Sequence, residues 1–301
     1  MSEEKNVTRL SPLNNLVFAC IFKDEKSKPA MLDFLNSVLE YVGKEKISEI
    51  IEIKSEYSLL GESHDQKYGR LDVRVKGESG RLFEIEVQIE KDYLNERGYF
   101  YGSRMVLDEF DSGTPYNKLA KVCVINIADF HVREGSSEIV EPVELMYTKE
   151  PVEKAMDAFT MYHIQLPEFR KNHKTLESVK GNAFFTWLYI LDNGYKSEEE
   201  MNMLVQMSPG ILNFAERYGI AINDPDLIRR YRLEMDWIRD EKTRIAVAEN
   251  RGIEKGIKKM VEVLYSIGIS KNTIIEKLQE KYELSLPEAE KYANDNLPTV
   301  N

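Results

Sequence analysis

Cysteine is scarce in this sequence. Only two cysteines occur in 301 residues, Cys20 and Cys123, and each is flanked by apolar residues. Neither belongs to a pair with the spacing of a metal site, so a disulfide framework and a cysteine-based metal centre are excluded. We expect both to be reduced thiols within the core.

Long apolar runs are also missing. No stretch approaches the roughly 18 residues that a membrane-spanning helix needs. The opening residues, MSEEKNVTRLS, lack the apolar segment of a signal peptide. The sequence therefore predicts a cytoplasmic protein without a membrane partner.

The sequence also lacks an excess of positive charge. Lys and Arg number 41 against 52 Asp and Glu, which gives a formal net charge of −11. This balance excludes a diffuse attraction to nucleic acid, so any such contact has to come from a local basic patch or from bound cations. The 42% hydrophobic content is sufficient for a substantial core.

The order of the predicted elements indicates an α/β domain followed by helices. The patterns before residue 170 are helices at 10–22, 29–42 and 92–111, strands at 47–60, 121–130 and 159–166, and a hairpin at 71–90. After residue 175 every pattern is helical, including a long charged stretch at 223–260. We therefore expect an α/β core in residues 1–170 and a helical region in residues 171–301.

The stretch GRLDVRVKGESGRLFEIEVQIE, residues 69–90, predicts two strands joined by a tight turn. A three-residue loop at 78–80 places Gly80 at the position that needs a positive φ. This loop fixes the register of the two strands. In that register Asp72 lies directly opposite Glu86.

The polar face of this hairpin collects oxygen-bearing side chains: Asp72, Glu84, Glu86 and Gln88. Paired residues have Cβ atoms about 4.5–5.5 Å apart, and two carboxylates that close repel unless a cation lies between them. Mg²⁺ fits such a set of oxygen ligands. The alternative interpretation is a solvated sheet face on which basic side chains such as Arg74 neutralise the acids.

An Asp on one strand followed by Glu-x-Gln on the next resembles the PD-(D/E)XK nuclease superfamily, with Gln in place of the usual Lys. Further segments narrow the resemblance to the Rpn family of recombination-promoting nucleases and transposases. These segments are LSPLNNLVFACIF, LDVRV, IEVQ, ERGYFYGSRM, SGTPYNKLAKVCVINIADF, LPEF and RGIEKGIKK. They occur in the family order. The resemblance covers residues 10–170 well and the tail loosely. The resemblance implies a restriction-endonuclease-like core, a central mixed sheet flanked by helices, with a helical C-terminal region.

The resemblance also implies roles for individual residues. Asp72 matches the metal-binding Asp, Glu86 the acid of the E-x-Q motif and Gln88 the residue that replaces Lys. These three are the candidate catalytic residues, and the two acids are the candidate ligands of Mg²⁺ or Mn²⁺. Arg97 and Tyr101 match the helix that follows the motif in the family.

The first helix departs from the family pattern S-P-x-x-D-x-x-F-K. Asn15 stands in place of the Asp, and Ala19 stands in place of the Lys. An Asn carbonyl can still bind a cation or accept a hydrogen bond, but it adds no charge. Asn15 is therefore the candidate site residue of this helix, and a catalytically weakened protein is an alternative.

Nearby arginines are candidates for the positive charge that Gln88 lacks: Arg74, Arg97 and Arg104. Arg97, Tyr101 and Arg104 recur at helical spacing, which predicts a stripe facing phosphate. A solvated or core-edge face is the alternative. The four histidines are scattered along the chain, and we expect structural or surface roles for them.

The C-terminal tail predicts short helices around the residues YELS. They resemble a helix-turn-helix, and the alternative is a helical hairpin through which the chain forms a homo-oligomer. Gly252 and Gly256, four residues apart, indicate a sequence duplication or close packing with a partner helix.

The resemblance implies a Mg²⁺-dependent DNA endonuclease that acts in recombination or in a mobile element. The alternative is a weakened relative that binds DNA or a protein partner without cleaving. A purely structural α/β protein is a third hypothesis. Loss of DNA cleavage on Asp72→Ala, with the fold intact, would distinguish the first hypothesis from the other two.

Overall fold

The computed structural model describes residues 10–55, 73–88, 91, 93–110, 112–113 and 115–296. The chain forms two compact units that divide between Arg232 and Leu233. The strands are β1 (Ile50–Ser55), β2 (Val73–Gly77), β3 (Leu82–Gln88), β4 (Val122–Ala128), β5 (Val140–Glu144) and β6 (Phe159–Gln165). The helices are α1 (Asn15–Ile21), α2 (Lys28–Tyr41), α3 (Leu94–Asp108), α4 (Leu166–Asn172), α5 (Ala183–Asn193), α6 (Glu198–Met207), α7 (Gly210–Ala221), α8 (Pro225–Ser266), α9 (Lys271–Tyr282) and α10 (Leu286–Asn296).

The first unit is built on one mixed sheet with the strand order β1-β2-β3-β4-β6-β5. The pairs β1–β2, β2–β3 and β5–β6 are antiparallel, whereas β3–β4 and β4–β6 are parallel. The central strands β3 and β4 are buried on both faces. Helices therefore have to cover both sides of the sheet, as the α/β prediction requires.

One face of the sheet belongs to the main core. Phe83, Ile85 and Val87 of β3 share a buried cluster with side chains of α1, α2, α5 and α7. Trp187 of α5 and Phe214 of α7 lie at the centre of this cluster, with ring centroids 5.7 Å apart. Helices that follow residue 170 thus contribute to the same core as the sheet, while the domain boundary expected near residue 170 stays a prediction.

The opposite face is covered by α3, which packs against β4. Its Met105 shares a smaller cluster with Val122, Val124 and Met161. Gly98 allows the helix to approach the sheet closely, because a Cβ at this position would lie 2.8 Å from Met161 Sδ. The polar side chains of β3 lie on this face, beneath α3.

The second unit contains α8 from Leu233 onward together with α9 and α10. Its buried side chains are Ile257, Val261, Ile274, Ile275, Leu278, Ala289 and Ala293. A Cβ at Gly256 would lie 3.1 Å from Tyr282 Oη, whereas a Cβ at Gly252 would meet no atom within 4 Å. Close packing therefore explains one glycine of the pair, and the helix-turn-helix and the homo-oligomer contact stay predictions.

One element boundary was wrong, and one strand was missed. The first helix begins at Asn15 rather than near Ser11, because the Asn14 side chain caps it by accepting from the backbone N–H groups of Leu16 and Val17. Strand β5 was not predicted, since Pro142 interrupts its pattern. Proline is tolerated there because β5 is an edge strand.

Two further expectations concern the state of the cysteines and membrane-spanning helices. Both cysteines are buried and lie outside disulfides, and burial raises the pKa of the Cys123 thiol to about 12, so the prediction of reduced core thiols is confirmed. In the part of the chain that the structure describes, every helix is too short or too polar to cross a bilayer.

Candidate active site

The hairpin of β2 and β3 has the predicted turn and register. Gly80 adopts a φ of 78°, and the backbone N–H of Gly77 donates to the carbonyl of Arg81 over 2.9 Å. Across the strands Arg74 pairs with Glu84. Asp72 lies outside the described residues, so its place opposite Glu86 stays a prediction.

The polar face of β3 is buried. Glu84 is 1% exposed, Glu86 3% and Gln88 4%. The alternative of a solvated face is therefore wrong for these three residues, because α3 lies over this side of the sheet. Charged groups are rarely buried in proteins unless they are paired or bind ions.

Arg97 of α3 joins two of the candidate catalytic residues. Its Nη2 group donates to Glu86 Oε1, and its Nη1 group donates to Gln88 Oε1 over 3.3 Å. The side chains of Arg97 and Glu86 are 17% and 4% exposed, so the ion pair is largely removed from water. The structure therefore brings Glu86, Gln88 and Arg97 together, while the catalytic and phosphate-binding roles expected of them stay predictions.

The other end of the Gln88 amide remains available. Gln88 Nε2 is buried and has no hydrogen-bond partner among the described residues. A buried donor without an acceptor costs about 1–3 kcal/mol. A ligand oxygen would remove this cost, and a phosphate oxygen or a water molecule has the required chemistry.

The remaining basic candidates lie in different surroundings. Arg74 lines a small cleft of about 80 Å³, and its Nη1 atom is 3.9 Å from Asp108 Oδ2. Arg104 is exposed and Tyr101 is partly buried. Helical spacing places both on the side of α3 that carries Arg97, so the predicted stripe begins at the ion pair with Glu86.

The first helix approaches the site strand, since α1 packs against β3. The Oδ1 atom of Asn15 is buried and has no hydrogen-bond partner within the described part of the chain. Ala19 is fully buried in the core, which explains why an apolar residue suits this position. A role of Asn15 in the site stays a prediction.

A row of polar residues that sequence reasoning missed extends from Glu86 across the sheet. Glu86, Asn126 and His163 occupy neighbouring positions of β3, β4 and β6 in parallel register. Asn126 and His163 are fully buried. Asn126 Nδ2 lies 3.1 Å from His163 Nδ1, and His163 Nε2 lies 2.9 Å from Asn95 Oδ1 of α3.

The hydrogen bonds of this row define a neutral imidazole. Because the amide nitrogen of Asn126 donates, His163 Nδ1 accepts and Nε2 carries the proton that it donates to Asn95. Burial lowers the pKa of His163 to about 4, against a smaller opposing effect of Glu141. His163 is structural in the sense that it is buried, but it belongs to a network that begins beside Glu86.

The donor set of the site suits a hard divalent cation. The Glu86 carboxylate and the amide oxygens of Gln88 and Asn126 are the ligand types that Mg²⁺ and Mn²⁺ accept. The Asn126 Oδ1 atom is buried without a hydrogen-bond partner among the described residues. Those residues contain no group of three His, Cys, Asp or Glu side chains arranged around a metal position.

The fold and the site together define a class. A mixed sheet flanked by helices, with a buried Glu-x-Gln on its third strand, is the arrangement of a PD-(D/E)XK core. The model of the family described as PD-(D/E)XK nuclease family transposase matches residues 12–248, and the chain belongs to this family. Comparison with curated proteins and with solved structures gives no match. The family confirms the resemblance seen in the motifs and indicates a nuclease-type function.

Proposed function

We propose that the chain is a divalent-metal-dependent endonuclease that hydrolyses phosphodiester bonds in DNA. The observation that carries this proposal is the buried pair Glu86 and Gln88 on the third strand of a PD-(D/E)XK core, with Arg97 of α3 donating to both. A cytoplasmic role in recombination or in a mobile element fits the transposase description of the family.

Mg²⁺ or Mn²⁺ held by Asp72 and Glu86 would lower the pKa of a bound water and offset charge on the scissile phosphate. Gln88 would orient the substrate, because its Nε2 group, which has no partner among the described residues, could donate a hydrogen bond to a phosphate oxygen. It supplies no charge, so a cationic side chain has to complement the phosphate. Arg97 is already within the site, and a guanidinium binds phosphate through two parallel hydrogen bonds.

The stripe on α3 extends this binding surface. Tyr101 and Arg104 follow Arg97 at intervals of four and three residues, so all three reach toward the same side of the helix. We assign phosphate contacts along the DNA backbone to them. Arg74 lines the separate small cleft beside Asp108. We assign it to a phosphate farther from Glu86.

A plasmid-nicking assay tests the proposal. Supercoiled DNA is incubated with the protein and Mg²⁺ or Mn²⁺, beside an EDTA control and the variant Asp72→Ala. We expect metal-dependent nicking or linearisation that is lost in EDTA and in the variant. The same assay with an RNA of equal length reports the choice of substrate. Absence of cleavage by folded wild-type protein with either metal would contradict the proposal.

A weakened relative that binds DNA or a protein partner without cleaving is the second candidate. It is favoured by Asn15, which brings no charge to the first helix, and by the engagement of Glu86 with Arg97. Fluorescence anisotropy with labelled duplex DNA in EDTA measures binding alone. Binding that weakens in Arg97→Gln and Arg104→Gln, without cleavage in any metal, would favour this candidate over the first.

Cleavage of both strands of a duplex would favour two active sites. We therefore propose a homodimer in solution, formed through the C-terminal helices. Light scattering of the full chain measures its mass directly, and a monomeric mass at all concentrations would contradict this proposal.

A further inference from the structure

Asn126 has features that its place in a sheet does not explain. Its side chain is fully buried in the middle of β4, where the flanking positions on both strand faces are apolar. Its Oδ1 atom has no hydrogen-bond partner among the described residues. An unsatisfied buried carbonyl costs about 1–3 kcal/mol, so an apolar residue would stabilise the sheet better unless the amide has a ligand.

The register places this amide beside Glu86. The two residues are paired positions of the parallel strands β3 and β4, and they lie on the same face of the sheet. Neighbouring strands are about 4.8 Å apart. Oxygen ligands bind Mg²⁺ at about 2.0–2.1 Å, so side chains at two such positions are close enough to share one ion.

His163 fixes the orientation of the amide. Asn126 Nδ2 donates to His163 Nδ1 on the β6 side over 3.1 Å. The Oδ1 atom is therefore directed away from His163, because the two ends of an amide point apart. Glu86 of β3 is the neighbour on the other flank of Asn126.

Two further contacts hold this orientation. His163 Nε2 donates to Asn95 Oδ1 over 2.9 Å, which fixes the ring. A Cβ at Gly98 would lie 3.6 Å from Asn126 Nδ2, so the backbone of α3 lies directly above the amide. The carbonyl is thus held in a preformed position rather than free to rotate toward another donor.

From these contacts we propose that Asn126 Oδ1 is a further oxygen ligand of the divalent cation bound at Glu86. His163 and Asn95 are positioning residues that hold the amide in the binding orientation. This inference rests on the proposed function, because it concerns the same cation. An amide ligand adds an oxygen without adding charge, so it raises affinity while leaving the net charge of the bound site unchanged.

Direct Mn²⁺ binding to the full chain, measured by electron paramagnetic resonance without DNA, tests the inference. Glu86→Gln reports whether the cation uses the proposed site. Asn126→Ala removes the oxygen, and Asn126→Asp replaces it with a charged oxygen of the same size. Asn223→Asp at the end of α7 is the matched control, since it makes the same charge change away from the sheet.

We expect Glu86→Gln and Asn126→Ala to weaken Mn²⁺ binding by about tenfold or more, as loss of supporting groups does at metal sites. Asn126→Asp should tighten it by about tenfold, and Asn223→Asp should leave it within twofold. His163→Phe should weaken binding, whereas His163→Gln, which retains an acceptor for the amide, should restore most of it. Thermal unfolding identifies variants that are not folded, and the isosteric Asn126→Asp keeps the test decisive if Asn126→Ala does not fold.

Two results would overturn the inference in distinguishable ways. If Glu86→Gln weakens Mn²⁺ binding while both Asn126 variants bind within twofold of wild type, Asn126 is not a ligand and the proposed function stands. If wild-type protein shows no Mn²⁺ binding that depends on Glu86, the metal dependence of the proposed function fails together with the inference.

Discussion

Replacement of Arg97 by Met removes the charge that Glu86 contacts while keeping a long apolar stem. The two side chains are 17% and 4% exposed, so Glu86 is left as a buried carboxylate without this guanidinium. Loss of one partner of a buried ion pair costs about 3–5 kcal/mol. Because Arg97 is partly exposed, we expect the lower end, about 3 kcal/mol.

The magnitude is large enough to measure by unfolding. For a unit of this size, 1 kcal/mol corresponds to about 2–4 °C in Tm, so Arg97→Met should lower Tm by roughly 6–12 °C. Circular dichroism follows the transition. The matched control is Arg104→Met on the same helix, where the side chain is exposed and the expected change is within about 0.5 kcal/mol.

A double-mutant cycle assigns the loss to the ion pair. In the Glu86→Gln background the carboxylate that Arg97 contacts is gone, so Arg97→Met should cost much less there. Mn²⁺ should also raise the Tm of Arg97→Met by more than that of wild type, because a cation replaces the missing charge. Arg97→Met as stable as Arg104→Met would refute this account of the site.

Three further outcomes test the surroundings of the site. The pKa of His163 is about 4 in the folded chain against 6.5 for an ordinary histidine, so the unfolded state binds the extra proton between these values. The free energy of unfolding should therefore fall by about 3 kcal/mol as the pH decreases from 6.5 to 4. His163→Gln should remove this pH dependence, which urea unfolding at each pH measures. Gly98→Ala should destabilise the fold by about 1–3 kcal/mol, because the added Cβ contacts side chains of the sheet. The control is Gly219→Ala, where no atom lies within 4 Å of the added Cβ. It should be neutral or stabilising by up to about 1 kcal/mol. Asp33→Ala should cost about 2–3 kcal/mol in thermal unfolding, because it leaves the Trp187 Nε1 donor without its acceptor, while Asp33→Asn should retain much of that bond.

Local patterns were sufficient to predict the hairpin. Alternation and the single glycine of the turn determined the register that the structure shows between β2 and β3. The buried strands β4 and β6 were also predicted, since most of their residues are apolar or β-branched. These features depend on neighbouring residues alone, which is why the sequence reveals them.

The missed features depend on how strands and helices are arranged in three dimensions. The contact of Arg97 with Glu86 requires the crossover that returns α3 over the sheet. The row from Glu86 through Asn126 to His163 requires the parallel register of three strands, which no local pattern determines. His163 was expected to be structural or at the surface for the same reason, although it lies in the network beside the site.

The location of the active site at Glu86 is best tested by cleavage of supercoiled plasmid with Glu86→Gln beside Glu96→Gln. Both variants remove one carboxylate, but Glu86 is buried on β3 and Glu96 is exposed on α3. We expect Glu96→Gln to nick DNA in Mg²⁺ or Mn²⁺ at the wild-type rate. Glu86→Gln should lose at least 100-fold, which corresponds to about 2.7 kcal/mol or more of transition-state stabilisation. Equal cleavage by both variants would contradict the placement of the active site at Glu86.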